Sequence, residues 1–291
     1  MRFELVFLDA VDPSLGRLDY SSLSQQALME MVIADITNKD RICGYVDEPK
    51  DIEEWKGVEI EDGEVAEIHW DRYRLKGSPY LEWLPSSVRK FLVGWNNLTG
   101  TLDCASLPTS LKKLSFESNA FTGSLGLERL PDGIEAINVS ENTLGGPLKL
   151  GSLPDRLTHF YAYDNRFTGG VALTRLPAAM SNLAIETNQL SGSVVLTLLP
   201  GGLSVINLAN NQFSGALDLT RLPSSMCRLY LDNNSFSSRV DLSQLPQGLR
   251  ELHLSDNELS GKVFISDKLF GRVFVRNTKI MKQHMALLKP N

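Results

Sequence analysis

The chain has 291 residues, of which 42% are hydrophobic and 22% are charged, a balance that suits a packed protein rather than a disordered one. Its net charge of −6 argues against general electrostatic binding of nucleic acid, and no apolar run reaches the ~18 residues that a membrane span needs. The three cysteines, Cys43, Cys104 and Cys227, cannot form a disulfide framework, because at least one must stay unpaired.

Residues 1–60 are predicted to form an N-terminal cap that contains a helix over about residues 21–38. Leu23, Ala27 and Met31 recur at helical spacing there, and Ser22 with Gln25 matches a capping box. A cap of this kind would cover the apolar end of whatever follows it.

A Leu-Pro dipeptide then recurs every 23 residues. The eight repeats begin at Leu84, Leu107, Leu130, Leu153, Leu176, Leu199, Leu222 and Leu245. Their shared frame is LPxxLxxLxLxxNxFxGxLxLxx, and residues 61–83 form a degenerate repeat in which Tyr73 replaces the Asn. A fixed period of this length predicts a solenoid, here over residues 61–265.

Each repeat is predicted to contain a short strand followed by a buried Asn. In the repeat that begins at Leu222, Leu229 and Leu231 alternate with polar neighbours, which is the period of a strand with one buried face. The Asn that follows can satisfy backbone groups where the chain turns off the strand, since its amide offers both donors and an acceptor. This Asn ladder comprises Asn96, Asn119, Asn142, Asn165, Asn188, Asn211, Asn234 and Asn257.

The second half of each repeat suggests an apolar spine, a left-handed turn and a further strand. A Leu or Phe stands two residues after each ladder Asn. A Gly stands four residues after it, except in one repeat that has Ser238 instead, where we expect a local distortion. Alternating pairs such as Leu125 and Leu127 predict short second strands on the flank. Because each Pro fixes φ and lacks an N–H, the convex side is expected to be turn-like, with short 3₁₀ turns.

This repeat frame resembles the leucine-rich repeat family, especially its plant-type members and those of kinetoplastids and related protists. The resemblance covers about residues 61–265 and implies a mostly β, α/β solenoid: a curved horseshoe with a parallel concave sheet and helical caps at both ends. Trp55–Ile68 resembles the segment that opens plant-type domains. In that family the segment usually carries paired cysteines, which are missing here.

Residues 266–291 are predicted to form the C-terminal cap. Val273–Thr278 matches a last, truncated strand. Thr278–Lys289 is predicted to be a basic amphipathic helix with Met281, Met285 and Leu288 on one face. This end carries charge opposite to the start of the chain: residues 262–291 have net +6, and residues 1–83 have net −10. Either charged end is therefore an alternative docking surface.

The predicted binding surface lies on the concave sheet, where members of the family commonly bind ligands. Most outward positions there are small or polar, but two strands carry large side chains suited to protein interfaces. The candidate partner-binding residues are His159, Tyr161, Tyr163, Arg228, Tyr230 and His253. Between the two groups, Ala184, Asn207 and Ala209 would form a floor of small residues.

We therefore expect a non-catalytic scaffold or adaptor that binds a partner protein. No phosphate-binding loop, nucleophile elbow or zinc spacing occurs, so neither a cofactor nor a metal is expected, and His159 and His253 would lie ~19 Å apart, too far to share an ion. One alternative is an extracellular or surface receptor-like module for a peptide or glycan. Another is the recognition subunit of an enzyme complex such as a ubiquitin ligase.

The expected location is intracellular and cytoplasmic. Residues 1–10 do not match a signal peptide, because Glu4 and Asp9 interrupt a short apolar run and the basic start is weak. The missing cap disulfides point the same way.

Overall fold

The computed structural model describes residues 23–285, which form a solenoid with a small cap at its start. In the cap lie α1 (Gln25–Val32), β1 (Asp35–Ile36) and α2 (Asp40–Cys43). Next come β2 (Val58–Glu61), β3 (Glu64–His69) and β4 (Lys76–Ser78). Within the described residues, no helix has the length and apolar character needed to cross a membrane.

The repeats build two sheets from short parallel strands. Concave strands are β5 (Lys90–Leu92), β7 (Lys113–Ser115), β8 (Ala136–Asn138), β10 (His159–Tyr161), β12 (Asn182–Ala184), β14 (Val205–Asn207), β16 (Arg228–Tyr230) and β18 (Glu251–His253). Flank strands are β6 (Asn97–Leu98), β9 (Gly145–Pro147), β11 (Arg166–Gly169), β13 (Gln189–Gly192), β15 (Gln212–Ala216), β17 (Ser235–Arg239) and β19 (Glu258–Ile265). The chain ends its described part with α3 (Asp267–Phe270), β20 (Val273–Phe274) and β21 (Lys279–His284).

The concave sheet has 11 strands, with β2 at one edge and β20 at the other. Corresponding residues of successive repeats pair directly, as Tyr161 does with Ala184 and Asn207 does with Tyr230. The flank strands form a 7-stranded sheet from β9 to β21, and β1, β4 and β6 form a separate 3-stranded sheet. Five short 3₁₀ helices on the convex side follow the sequence-based expectation: Leu81–Trp83, Cys104–Ser106, Leu127–Arg129, Leu150–Ser152 and Leu173–Arg175.

Each ladder Asn ties two repeats together through four hydrogen bonds. Asn188 Nδ2 donates to the carbonyls of Ile185 and Glu186 in its own repeat, at 3.2 and 3.1 Å, and to Ala162 O of the preceding repeat at 3.0 Å. Its Oδ1 accepts from Phe167 N at 2.9 Å. The same four contacts recur at Asn142, which is 8% exposed, so the side chain at the end of each strand also holds the preceding repeat.

The apolar spine packs between the two sheets and the convex turns. Its members are 0–1% exposed: Leu98, Phe121, Leu144, Phe167, Leu190, Phe213, Phe236 and Leu259. Phe213 and Phe236 stack with ring centroids 6.2 Å apart. Repetition of this layer gives one continuous core along the whole solenoid, which no single repeat could bury alone.

The helix predicted over residues 21–38 is wrong in its length and in its N-cap residue. Helix α1 spans only Gln25–Val32, and its N-cap is Ser24, whose Oγ accepts from Ala27 N at 3.2 Å. The chain leaves the helix because Asp35 and Ile36 pair antiparallel with β4, which covers the edge of the degenerate repeat. The predicted capping residue Ser22 lies outside the described residues.

The predicted C-terminal helix over Thr278–Lys289 is also wrong where the structure describes it. Lys279–His284 is strand β21, which pairs in parallel with Ser260–Ile265 of β19 over six residues. Ile280 is 8% exposed and Met281 is 62% exposed, so burial alternates with the period of a strand. The unpaired edge of β19 offers a full row of backbone partners, and these satisfy the segment better than an isolated helical turn would.

The flank strands exist but start earlier in each repeat than predicted. They contain the residues after the ladder Asn, such as Gln212–Ala216, rather than the alternating apolar pair that follows. In the repeat that begins at Leu107, Leu125 lies in the loop and Leu127 opens a 3₁₀ helix, with both side chains buried under the turn. Those pairs therefore anchor the convex turns to the core.

Ser238 takes the same backbone conformation as the glycines that it replaces, so the expected local distortion is absent. Its φ is 78°, beside 78° at Gly146 and 79° at Gly169. A left-handed conformation costs a residue with a Cβ ~1–2 kcal/mol, so the cost falls on Ser238 itself.

Replacing this serine tests that assignment. Ser238→Gly should raise the free energy of unfolding by ~1 kcal/mol in urea denaturation, because glycine has no Cβ penalty at this φ. Ser237→Gly, one residue away in the same strand with an ordinary φ, should instead lower it. Destabilisation by both changes would contradict the account.

The ladder can be tested in the same way. Asn188→Ala should lower the free energy of unfolding by ~1–3 kcal/mol, since several backbone groups lose their partner. Gln212→Ala, in an exposed position next to the following ladder Asn, should cost less than ~0.5 kcal/mol. Equal losses would show that the ladder does not carry the stability assigned to it.

Candidate functional site

The concave sheet presents three outward side chains from each strand and its end, at six, four and two residues before the ladder Asn. In parallel strands of matched register these positions form straight columns with a spacing of ~4.8 Å. The six candidate residues occupy these columns in two groups, around β10 and around β16.

The first group consists of His159, Tyr161 and Tyr163. The rings of His159 and Tyr161 lie 6.0 Å apart, and the His159 Nδ1 lies 2.8 Å from Thr158 Oγ1. Burial raises the pKa of the Tyr161 hydroxyl, and a hydrogen bond with Asn182 offsets part of that rise. The pKa of the Tyr163 hydroxyl is raised as well, by burial and by Glu117. Both tyrosine hydroxyls therefore stay protonated at neutral pH and can donate hydrogen bonds.

The second group is larger than predicted. Arg228 and Tyr230 lie on β16, and His253 on the next strand has its ring 4.9 Å from that of Tyr230. Phe274 extends the row, with its ring 4.4 Å from His253 and 43% of its surface exposed. Phe274 was not predicted from the sequence, because only 21 residues separate it from its register partner His253, so it falls outside the 23-residue frame.

Glu251 supports this second group from the adjacent strand. It accepts a short hydrogen bond from the Tyr230 hydroxyl, and its Oε2 lies 4.0 Å from Arg228 Nε. Burial, followed by this carboxylate, raises the pKa of Tyr230 to about 12. The phenol therefore stays protonated and held in place.

A shallow floor separates the two groups. Two strands, β12 and β14, lie between β10 and β16, so Tyr161 and Tyr230 are about 14 Å apart at ~4.8 Å per strand. Ala184 and Asn207 occupy the same column between them, and Ala209 is 5% exposed. An extended peptide or the side of a helix could span this distance.

Charge is divided across the concave face. At one and two residues before the ladder asparagines there are six acids and no lysine or arginine: Glu117, Glu141, Asp164, Glu186, Asp232 and Asp256. At six and seven residues before them there are six bases and two acids; the bases are Arg89, Lys90, Lys112, Lys113, Arg228 and Arg250. The strands thus run from a basic margin to an acidic margin.

The acidic margin contains a partly buried carboxylate next to Tyr163. Glu186 is half-buried, and burial is the main cause that raises the pKa of its carboxyl, although hydrogen bonds from its own backbone and from Asn207 oppose the rise. Its Oε2 has no hydrogen-bond partner. Glu186 was not singled out from the sequence, because an acidic residue at the end of a strand carries no signal of burial.

One further polar group lies at the start of the concave sheet. Ligand atoms of Glu59, Glu67 and His69 fall within 4.8 Å of one another. Lys90 Nζ already lies 2.7 Å from a carboxylate oxygen of Glu67, and the Lys90 and His69 hydrogen bonds lower the pKa of that carboxyl. We assign the group as an ion-pair network, since an ammonium occupies the place of a cation.

Similar proteins were found among solved structures, whereas no family profile and no curated sequence matches the chain. The leucine-rich repeat ectodomain of the Arabidopsis receptor kinase HAESA, in complex with an IDA peptide hormone, is 26% identical with a TM-score of 0.55. That match covers 68% of this chain and 35% of HAESA's, so this chain spans about a third of that ectodomain.

Two further structures are similar in fold at lower identity. A plant ice-binding protein has a TM-score of 0.72 at 19% identity and matches 91% of this chain and 90% of its own. The functional domain of InlJ from Listeria monocytogenes has a TM-score of 0.54 at 17% identity, over 78% of this chain and 55% of its own. The solenoid architecture expected from the repeats is thereby confirmed.

The partly buried Glu186 carboxylate should make stability depend on pH. Glu186→Gln should raise the melting temperature at pH ~7, because the folded state no longer buries a charge there. The raised pKa of the folded-state Glu186 carboxyl destabilises the protein above that pKa and has no effect below the ordinary value of ~4.3. The gain in melting temperature from Glu186→Gln should therefore vanish near pH ~3.5, where the carboxyl is protonated in both states. Glu258→Gln on the exposed flank should show no such pH-dependent gain. A gain of equal size at both pH values would contradict the assignment.

Proposed function

We propose that this leucine-rich repeat protein is a non-catalytic scaffold that binds another protein across its concave sheet. The observation that carries the proposal is the pair of aromatic groups about 14 Å apart on one regular face, with small side chains between them. Tyr and Arg dominate protein interfaces because they give large contact areas at little cost in side-chain entropy.

The rigidity of the face supports recognition. Strand ends are fixed by the Asn ladder, and the Tyr163 and Tyr230 hydroxyls are held by Glu117 and Glu251. A surface that is already ordered loses little entropy on binding, so more of the contact energy appears as affinity. The HAESA ectodomain, which is similar to this chain, was solved with a bound peptide hormone.

The proposal includes a cytoplasmic location. All three cysteines are free, with Cys43 and Cys104 buried and Cys227 half-buried. Free thiols are typical of reducing compartments, whereas secreted proteins tend to pair theirs. A receptor-like surface module for a peptide or glycan, or the recognition subunit of a ubiquitin ligase, would use the same face, and the identity of the captured partner would separate these roles.

A set of three baits tests the concave assignment. Wild-type protein, the double variant Tyr161→Ala with Tyr230→Ala, and the convex-side double variant Arg175→Ala with Arg221→Ala would be used to recover proteins from the source cells. The concave variant should lose the partner, with affinity weakened by ~2 kcal/mol or more, as for central interface anchors. The convex variant should retain it.

Folding of the two double variants is checked by thermal melts. Tyr161 and Tyr230 are half-buried but lie outside the core between the sheets, so their loss should change the melting temperature little. If the concave variant retains the partner, and binding is instead lost on charge reversal of residues 47–67 or of the basic end, the charged ends carry recognition.

A further inference from the structure

Two buried polar atoms flank Tyr163 without any hydrogen-bond partner. They are Ser140 Oγ and Glu186 Oε2, and they are the only such side-chain atoms in the described part of the chain. Both residues sit two positions before a ladder Asn, on the strands either side of the one that carries Tyr163. Unpaired buried groups are costly, so native proteins keep few of them, and their clustering on one functional face points to a ligand.

The position of Tyr163 explains why Ser140 is buried. The Tyr163 hydroxyl donates to Glu117 Oε1 at 2.8 Å, and Glu117 lies two strands away. The phenol must therefore reach across the intervening strand, which carries Ser140 in the same column. Ser140 is 0% exposed, so its hydroxyl is shut off from water.

The surroundings of Tyr163 are negatively charged. Glu117, Glu141 and Glu186 all act on its hydroxyl electrostatically. The Glu141 carboxylate accepts from Ser118 Oγ at 2.5 Å and is itself exposed. In the eight full repeats, no lysine or arginine stands in either of the two columns formed by the residues one and two positions before the ladder Asn. These two columns thus offer many acceptors and an aromatic face but no cation.

The spacing of the carboxylates argues for an extended organic cation rather than a metal ion. Within the described residues, the set of three ligand groups close enough for an ion is the one at Glu59, Glu67 and His69, not the carboxylates around Tyr163. A guanidinium or ammonium on a long stem can instead distribute several N–H donors over separated acceptors. The same cation can lie against a tyrosine ring, which adds a favourable contact.

We infer that the surface formed by Ser140, Glu141, Tyr163 and Glu186 is a subsite for an arginine or lysine side chain of the bound protein. The inference rests on the proposed concave-face function and specifies its chemistry. The cationic head would lie beside the Glu141 and Glu186 carboxylates, and its stem would lie on Tyr163. The two aromatic groups would then contact the neighbouring parts of the same ligand.

A small probe tests the subsite without the partner. N-acetyl-arginine amide would be titrated into the full chain and followed by NMR of the Tyr163 ring and of ¹³C-labelled Glu carboxyls. The shifts should saturate with a Kd on the order of millimolar, as for a fragment of this size. N-acetyl-norleucine amide, which has a similar stem but no charge, should give no saturable shift.

Variants then assign the binding to these residues. Glu186→Gln should weaken arginine amide by ~5-fold or more, because a charge-assisted hydrogen bond is replaced by a neutral one. Ser140→Ala should raise the melting temperature of the free protein, since the unpaired hydroxyl is gone. Glu258→Gln on the flank should leave the affinity unchanged.

The outcomes separate this inference from the function on which it rests. No saturable shift, equal shifts with the norleucine probe, or an affinity untouched by Glu186→Gln would each overturn the cation subsite. The concave-face function would still stand if the double tyrosine variant lost its partner. If that variant kept its partner while arginine amide bound as described, the subsite would remain and the assignment of the tyrosine anchors would be wrong.

Discussion

The hydrogen bonds of the Asn ladder are the constraint on which the rest of the molecule depends. Each Asn closes a turn whose preceding residue has positive φ, between 50° and 55° from Trp95 to Asp256. Such a conformation is unfavourable for these side chains, and bulky or β-branched residues such as Trp95 and Thr187 tolerate it least. The amide of the next residue offsets that cost by bonding to carbonyls of its own strand end and of the preceding repeat, as at Asn188.

Because the ladder fixes where every strand ends, it also fixes what the concave face displays. Columns of outward side chains follow from an identical turn at each 23-residue step. This regularity places Tyr161 level with Tyr230 and aligns Ser140, Tyr163 and Glu186 in one row. The proposed binding surface is thus a product of backbone repetition, and the side chains that vary within the columns would give it specificity.

The sequence predicted the repetitive part of the structure well, since each core position carries its own physical signal. Alternating leucines indicate the concave strands, and buried amides and glycines mark the turns. It failed at both ends, where the repeat no longer dictates the conformation. There the choice between helix and strand depends on whether a sheet edge is unpaired, as the pairing of Lys279–His284 with β19 shows.

The positions of the candidate residues on the concave face could be predicted from the sequence, but the electrostatics around them could not. The aromatic residues stand out against small neighbours in the sequence, whereas the burial of Glu186 and the long reach of Tyr163 to Glu117 arise only from the curvature and register of the sheet. Those contacts convert a row of ordinary polar residues into a surface with unsatisfied acceptors. A basic segment of a bound protein is the ligand that we propose for this surface.

Site-specific photocrosslinking tests the central claim, that ligands bind across the concave face, most directly. A photoreactive amino acid would be placed at Asn207, between the two aromatic groups, and separately at Arg175 on the convex side. The account predicts that, in cells, position 207 becomes joined to a partner protein whereas position 175 does not. Crosslinking from position 175 with none from position 207 would contradict it.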